Sequence, residues 1–384
     1  MINVFQPSLG DEEAEAVREV FATNWLGYGP RTRAFEAEFA AHLGVSSDQL
    51  IFINSATSGL FLATELLGLG PADDVVVPAI SFVANGNAIL SSGARPVFCD
   101  VDPHTLNPSV EDVERALTPR TKAVMVLHYG GFPGDIAAIA QLCQERGVVL
   151  IEDTVGSISS HVDGKMCGTF GDIAIWSFDS RKIISTGDGG MIFVRDPELH
   201  ARAHRLAYHG LVDRSAFTTA SKSPSHWWGL DIQDVGRRLI GNDVTAAIGS
   251  VQLRKLPGFI ERRRQVSARY DELLAGVEGI RIPPPAPAGH GSSYCFYWVQ
   301  IDPAIRDQVA ADLLEQGIYT SFRYEPLHKV PIYGGSGELP GTDVASASTL
   351  LLPLHQAITD DEAETVATAL VNSVAKRSNW TRVA

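Results

Sequence analysis

The segment from about residue 50 to 195 constrains this chain most, because short continuous apolar runs alternate there with amphipathic stretches. "LIFIN" at 50–54, "DVVVPAI", "RPVFCDVD", "TKAVMVLH" and "VVLIEDT" each read as a strand. Between them, "SATSGLFLATELLGLG", "FVANGNAILSSG", "EDVERAL" and "DIAAIAQLCQERG" carry helical spacing, with Leu60, Ala63, Leu66 and Leu67 on one face of the first and Gly147 closing the last. Apolar runs without polar alternation have no solvent face. They predict an α/β fold whose mostly parallel sheet is covered by helices on both sides.

Near residue 255 the pattern changes. A charged helix, "LPGFIERRRQVSARYDELLAGV", leads into a proline-rich stretch, "IRIPPPAPAGHGSS". Then follow a strand "YCFYWVQI", a helix "RDQVAADLLEQG", a strand "YTSFRY" and a final helix near 359–376. This predicts two domains: a large one over 1–253 and a smaller α+β one over 254–384. With 45% hydrophobic residues in 384, the chain can give each its own core.

The net charge of -14 argues against nucleic acid as a partner, since phosphate-backbone binding needs a basic stripe. Cys99, Cys143, Cys167 and Cys295 form no C-x-x-C pair and no zinc-ligand pattern, so buried free thiols in a reducing compartment, and no metal, are expected. The opening "MINVFQPSLGDEEAEAV" lacks a basic region followed by an apolar stretch, and no apolar run nears the ~20 residues of a membrane span. The expected location is cytoplasmic.

Three features fall at predicted strand ends, where open α/β sheets hold ligands. "NSATSG" offers small hydroxyl residues and a helix N-terminus to an anion, although such residues also cap ordinary helices. Glu152 and Asp153 leave "VVLIED", where an acidic residue can either cap a loop or serve a ligand. "WSFDSRKIISTGDGGM" sets Arg181 and Lys182 on a glycine-rich loop between two strands, where a lysine can simply be solvated. Together, an anion cradle, a carboxylate and a lysine suit pyridoxal phosphate, which needs a phosphate site, a partner for its ring nitrogen and an amine for its aldehyde.

The chain resembles the DegT/DnrJ/EryC1/StrS aminotransferases, the sugar branch of the fold-type I pyridoxal phosphate enzymes. The resemblance runs from "NWLGYGPRTRAFEAEFAAHLGV" through "NSATSGL", "VPAISFVANGNAIL", "IEDTVGS", "GTFGDIAIWSF", "KIISTGDGG" and "NDVTAAIGSVQL" to "RYEPLHKVPIY" and "LLLPLH". It implies that Lys182 is the Schiff-base lysine and that Arg181 is not. It implies that Asp153 pairs with the pyridine nitrogen, that Phe82 stacks on the ring, and that Thr57, Ser58 and Ser177 contact the phosphate. It places Tyr28, Arg323, Tyr324 and His328 near the substrate, with Arg323 where histidine is common. Arg238 falls where the family carries an asparagine that reaches the partner's cofactor phosphate. The alternative for Arg238 is a solvated charge before a helix, and for His128 a buried structural histidine. Gly156 stands where relatives often carry Gln or His toward the ring hydroxyl, so a different donor or a water must serve it.

The resemblance implies a homodimer with shared active sites. It would pass an amino group from L-glutamate, through pyridoxamine phosphate, to the ketone of a nucleotide-activated deoxysugar of 4-keto-6-deoxy type. An aminocyclitol ketone is an alternative substrate. A sugar dehydratase using the same cofactor, or a non-catalytic regulator on the same fold, are the other readings, both disfavoured by Lys182.

Overall fold

The structure, a computed structural model, describes residues 1–212, 229–335 and 337–381. Its centre is a seven-stranded sheet built from β1 (Leu50–Ile53), β2 (Asp74–Pro78), β3 (Arg95–Cys99), β4 (Thr121–Leu127), β5 (Val149–Asp153), β8 (Ile173–Ser177) and β9 (Gly190–Val194). The small hairpin β6 (His161–Val162) and β7 (Lys165–Met166) lies between β5 and β8 in sequence. The order across the sheet is β1-β9-β8-β5-β4-β2-β3. Only β9 runs against its neighbours. Every parallel step needs a crossover, whereas β8 reaches β9 through the loop that carries Lys182 and therefore returns antiparallel.

The strand runs are apolar throughout because both faces are covered. Ile51, Ile53, Val75, Val77, Met125, Ile151, Ile175 and Ile192 point to one side. The helices of this part are, in chain order, α1 (Asp11–Ala22), α2 (Pro30–Leu43), α3 (Ala56–Leu66), α4 (Val83–Ser91), α5 (Val110–Ala116), α6 (Ile136–Arg146) and α7 (Pro197–Ala207), and on this side the strands meet α3, α4 and α7 through residues such as Leu60, Ala63, Ala88 and Leu206. On the other side Phe52, Trp176, Met191 and Phe193 pack on Phe35 and Phe39 of the helix Pro30–Leu43. Val76, Val124 and Leu150 pack there on Ile136 and Ile139 of the helix Ile136–Arg146.

A second apolar cluster joins Val266, Tyr270 and Leu274 to Tyr297, Val299, Leu350, Leu352 and Leu370. Its two strands, β11 (Tyr297–Gln300) and β12 (Thr349–Leu352), are antiparallel. The helix Asp243–Leu274 runs unbroken through residue 254, with Pro257 inside it. Ile2 joins the same unit by pairing with Gly317 and Tyr319.

Two expectations change locally. In "YTSFRY" only Ser321 pairs, with Leu351, so the segment is no strand; its Arg323 and Tyr324 line the cavity described below. The proline-rich stretch is more than a linker. Its end forms β10 (His290–Gly291), which pairs with β6 and makes a separate three-stranded sheet with the β6–β7 hairpin.

Candidate active site

A cavity of about 310 Å³ opens where β5 and β8 end and β9 begins. Asp153 is the last residue of β5, and the residue before it, Glu152, points to the opposite side. Glu152 accepts N–H bonds from Gly168 at 2.7 Å, Phe170 at 2.8 Å and Gly171 at 2.6 Å, and lies 3.1 Å from His128 Nε2. Glu152 is thus the loop-capping acid and Asp153 the one that lines the cavity. His128, 1% exposed, belongs to the buried Glu152 network rather than to the cavity wall.

Asp153 is 1% exposed, and burial pushes its carboxyl above the ordinary value. Opposing that, Asn85 Nδ2 donates to Oδ2 at 2.8 Å, and Lys182 lies near enough to favour the charged form. Lys182 is half-buried on the turn after Asp179, whose carbonyl accepts the Lys182 N–H at 2.9 Å. Burial holds its ammonium below the ordinary lysine value, while the nearby Cys295, Asp153 and Asp179 work the other way. The outcome is an amine with an enlarged neutral, nucleophilic fraction. Arg181 is exposed and spends its Nε on Asp179 Oδ1 at 3.1 Å. It lines the same cavity.

The floor of the cavity is the N-terminus of α3. Ser55, the residue before the helix, accepts the Ser58 N–H at 3.1 Å and touches the Ser58 hydroxyl at 3.0 Å. Ser58 is thereby engaged in the cap and does not line the cavity, whereas Ser55, Ala56, Thr57 and Ser177 do. Gly190 makes this cradle possible. A Cβ there would meet Ala56 N at 2.7 Å and Trp176 O at 2.8 Å, both backbone atoms. Only glycine lets β9 start this close to the helix end.

Phe82 precedes α4 and lines one wall, 39% exposed, with its ring 5.4 Å from that of Tyr324. Arg323 lies over Phe5 at 4.5 Å and has a buried Nε without a partner. Both Arg323 and Tyr324 line the cavity, so the expected residues Thr57, Phe82, Asp153, Ser177, Lys182, Arg323 and Tyr324 converge on one space.

Tyr28, His328 and Arg238 lie elsewhere in the single chain. The Tyr28 hydroxyl donates to Glu36 Oε2 at 2.7 Å. His328 packs 6.4 Å from Phe98 in the short helical turn Leu327–Lys329. Arg238 is exposed, 5.4 Å above the Tyr208 ring.

Four residues that the sequence did not single out also bear on the site: Phe5, Cys295, Phe296 and Asn85. Cys295 explains the glycine at 156. A Cβ on Gly156 would lie 3.3 Å from Cys295 Sγ, so the thiol fills the space that a side chain at 156 would enter. Cys295 is the cavity's one thiol among the described residues, and burial raises its pKa.

The site has the parts that pyridoxal phosphate requires. The helix N-terminus and the hydroxyls of Thr57 and Ser177 suit its phosphate. Asp153 suits its ring nitrogen, Phe82 its ring face and Lys182 its aldehyde. The Gly190 cradle leaves the helix end open toward the cavity.

Comparison with known proteins gives a consistent picture. A family model described as the DegT/DnrJ/EryC1/StrS aminotransferase family matches residues 7–371. A dTDP-4-dehydro-2,3,6-trideoxy-D-glucose 4-aminotransferase of Saccharopolyspora spinosa is 61% identical over 367 residues, covering 96% of this chain and 95% of that protein. The spore coat polysaccharide biosynthesis protein SpsC of Bacillus subtilis is 32% identical, covering 95% of each chain. The crystal structure of the aminotransferase TlmJ from Streptoalloteichus hindustanus superposes with a TM-score of 0.94 at 56% identity, covering 98% of this chain and 99% of that one.

Proposed function

We propose a specific reaction for this chain, which belongs to the DegT/DnrJ/EryC1/StrS aminotransferase family: transfer of an amino group from L-glutamate to the 4-keto group of a nucleotide-linked deoxysugar, on pyridoxal phosphate. The observation that carries it is the convergence of Lys182, Asp153 and the α3 N-terminus on one cavity. The 61% identity to a dTDP-keto-sugar 4-aminotransferase supports the substrate class. When bound, the cofactor supplies an aldehyde that accepts an amino group and a protonated ring that withdraws electrons.

The chain's residues take the following roles in this reading. Lys182 Nζ holds the aldehyde end and then serves as the base that moves a proton to and from the substrate carbon. Its burial keeps the amine partly neutral for both tasks. Asp153 holds a proton at the ring nitrogen. Thr57, Ser177 and the first-turn N–H groups of α3 bind phosphate, with Ser58 setting the cap. Phe82 covers the ring and excludes water from one face. Arg323 and Tyr324 close the substrate side, and Tyr28 and His328 complete it from further out.

The same reading includes a homodimer in which Arg238 reaches the partner's cofactor phosphate. Its exposure in the single chain, beside the exposed apolar residues Leu230, Ile232 and Val235, supports this. An arginine can meet a phosphate with two parallel charged hydrogen bonds. It also includes a division at 253–254, supported by the separate apolar cluster beyond Val266, and a cytoplasmic location, supported by four buried free cysteines. Among the described residues no helix is long and apolar enough to cross a membrane.

The test is amination of a dTDP-4-keto-6-deoxyhexose with L-glutamate, followed by product mass and 2-oxoglutarate release. Equal amounts of amino sugar and 2-oxoglutarate are expected. A deoxygenated sugar without nitrogen would mean a dehydratase, and amination of a cyclitol ketone alone would overturn the sugar reading.

A further inference from the structure

We propose that Asn85 is a positioning residue that presents Asp153 to the cofactor ring as an aimed, ionised carboxylate, and that ties it to the Phe82 wall. The inference rests on the cofactor reading above.

Asn85 sits in the first turn of α4 and is 1% exposed. Its Nδ2 lies 2.8 Å from Asp153 Oδ2 and 2.6 Å from Ser81 Oγ. An amide nitrogen carries two hydrogens, and these two acceptors use both. The other oxygen of Asp153 receives only a long N–H contact from Val155, at 3.3 Å. Asn85 is therefore the main donor to a carboxylate whose charged form burial disfavours.

The Asn85 oxygen, Oδ1, is buried and has no partner. A side chain serving only to tie α4 down would turn to satisfy both ends. Turning here would aim an amide oxygen at a carboxylate, acceptor against acceptor, so the orientation with the NH₂ toward Oδ2 is the one that suits ionised Asp153. The groups facing Asp153 from other elements are Lys182 and His128, whose charges would favour the ionised form, and Tyr324, whose ionised form would oppose it. None of these three makes a side-chain hydrogen bond to the carboxylate; among the described residues Asn85 does. Because Phe82 immediately precedes α4, the same amide also fixes the ring-covering wall relative to the end of β5.

The consequence is measurable at the ring nitrogen. Without the amide donor, the proton shared between Asp153 and the ring shifts toward Asp153. Asn85→Leu keeps the shape and removes the donor. Protein loaded with cofactor labelled with ¹⁵N in the ring reports nitrogen protonation directly by its chemical shift. Wild type is expected to hold the protonated shift through neutral pH, and Asn85→Leu to move toward the unprotonated value. Cofactor Kd should rise about 10-fold and kcat fall by a similar factor, while KM for L-glutamate stays within about 2-fold. Ser81→Ala, which frees the second amide hydrogen, carries the same prediction at about 3-fold and keeps the test decisive if Asn85→Leu is unstable. Asn87→Leu is the control, since Asn87 is on the same helix but bonds Tyr333 at 2.8 Å, and should move neither shift nor Kd. An unchanged ¹⁵N shift and Kd in folded Asn85→Leu or Ser81→Ala overturns the inference. Failure of wild type to attach cofactor at Lys182, read by borohydride reduction and peptide mass, would instead overturn the cofactor assignment on which it rests.

Discussion

Replacing Asp153 with asparagine changes one atom and should disable the enzyme while leaving its fold. The structure sets the size of both effects. Each carboxylate oxygen accepts a hydrogen bond, Oδ2 from Asn85 at 2.8 Å and Oδ1 from Val155 N–H at 3.3 Å. An amide has one oxygen, so its NH₂ must face one of these donors. The longer Val155 contact is the one that yields. A buried donor left without a partner costs about 1–3 kcal/mol, which lowers Tm without preventing folding. Catalysis suffers more, because the neutral amide no longer pairs with a protonated ring nitrogen. Breaking a buried charge pair is worth about 3–5 kcal/mol, or roughly 10²- to 10⁴-fold in rate. The assay is the half-reaction with L-glutamate, followed in a single turnover by the cofactor's absorbance. Lys182 supplies a second readout in the protein before cofactor is added. Asp153 favours its charged form, so Asp153→Asn should make the amine lose its proton at lower pH, as seen in the pH dependence of its reaction with trinitrobenzenesulfonate. A rate loss of only a few-fold with normal cofactor binding would show that another group serves the nitrogen.

Two further substitutions separate the roles of neighbouring cations and of the two copies. Lys182→Ala should fold, bind cofactor reversibly and lose turnover, whereas Arg181→Ala, which removes only the exposed bond to Asp179, should keep activity within about 3-fold by initial-rate assay. Arg238→Ala should raise the cofactor Kd by roughly 10-fold or more, read by titrating apo-protein, and unchanged affinity would leave Arg238 as a surface charge.

The large sheet was legible because its strands are buried on both faces, so that past the opening Asp74–Thr121 pair "DVVVPAI" and "TKAVMVLH" pair through apolar residues, Val75 with Ala123 and Val76 with Val124. The places of Asp153 and Lys182 at the cavity were legible for a related reason, since Asp153 ends β5 and Lys182 lies on the loop that follows β8. Which of Glu152 and Asp153 faces the cavity follows from strand alternation only once the neighbouring loop 168–171 is in place. Asn85 lay within a segment already read as a helix, but its partner is 68 residues away and periodicity holds no trace of that. Cys295 reads as an ordinary apolar strand residue. The signal that could have found it was the missing side chain at Gly156, a gap that some other residue had to fill. Phe5 was invisible for the same reason of distance. "YTSFRY" misled because β-branched and aromatic residues suit a strand, while here Arg323 and Tyr324 turn toward the cavity.

Phe5 has a bearing on how the protein is made. It lines the cavity against Phe296 and Arg323, and Ile2 is held by Gly317 and Tyr319. Residues 2–5 are translated well before the surfaces that receive them, those of Phe296, Gly317, Tyr319 and Arg323. The seven-stranded sheet can assemble during synthesis, but the pocket wall cannot close until residue 324 has emerged. Until then the cavity beside Lys182 and Asp153 lacks Phe296, Arg323 and Tyr324, so tight cofactor capture is expected to follow the folding of that segment.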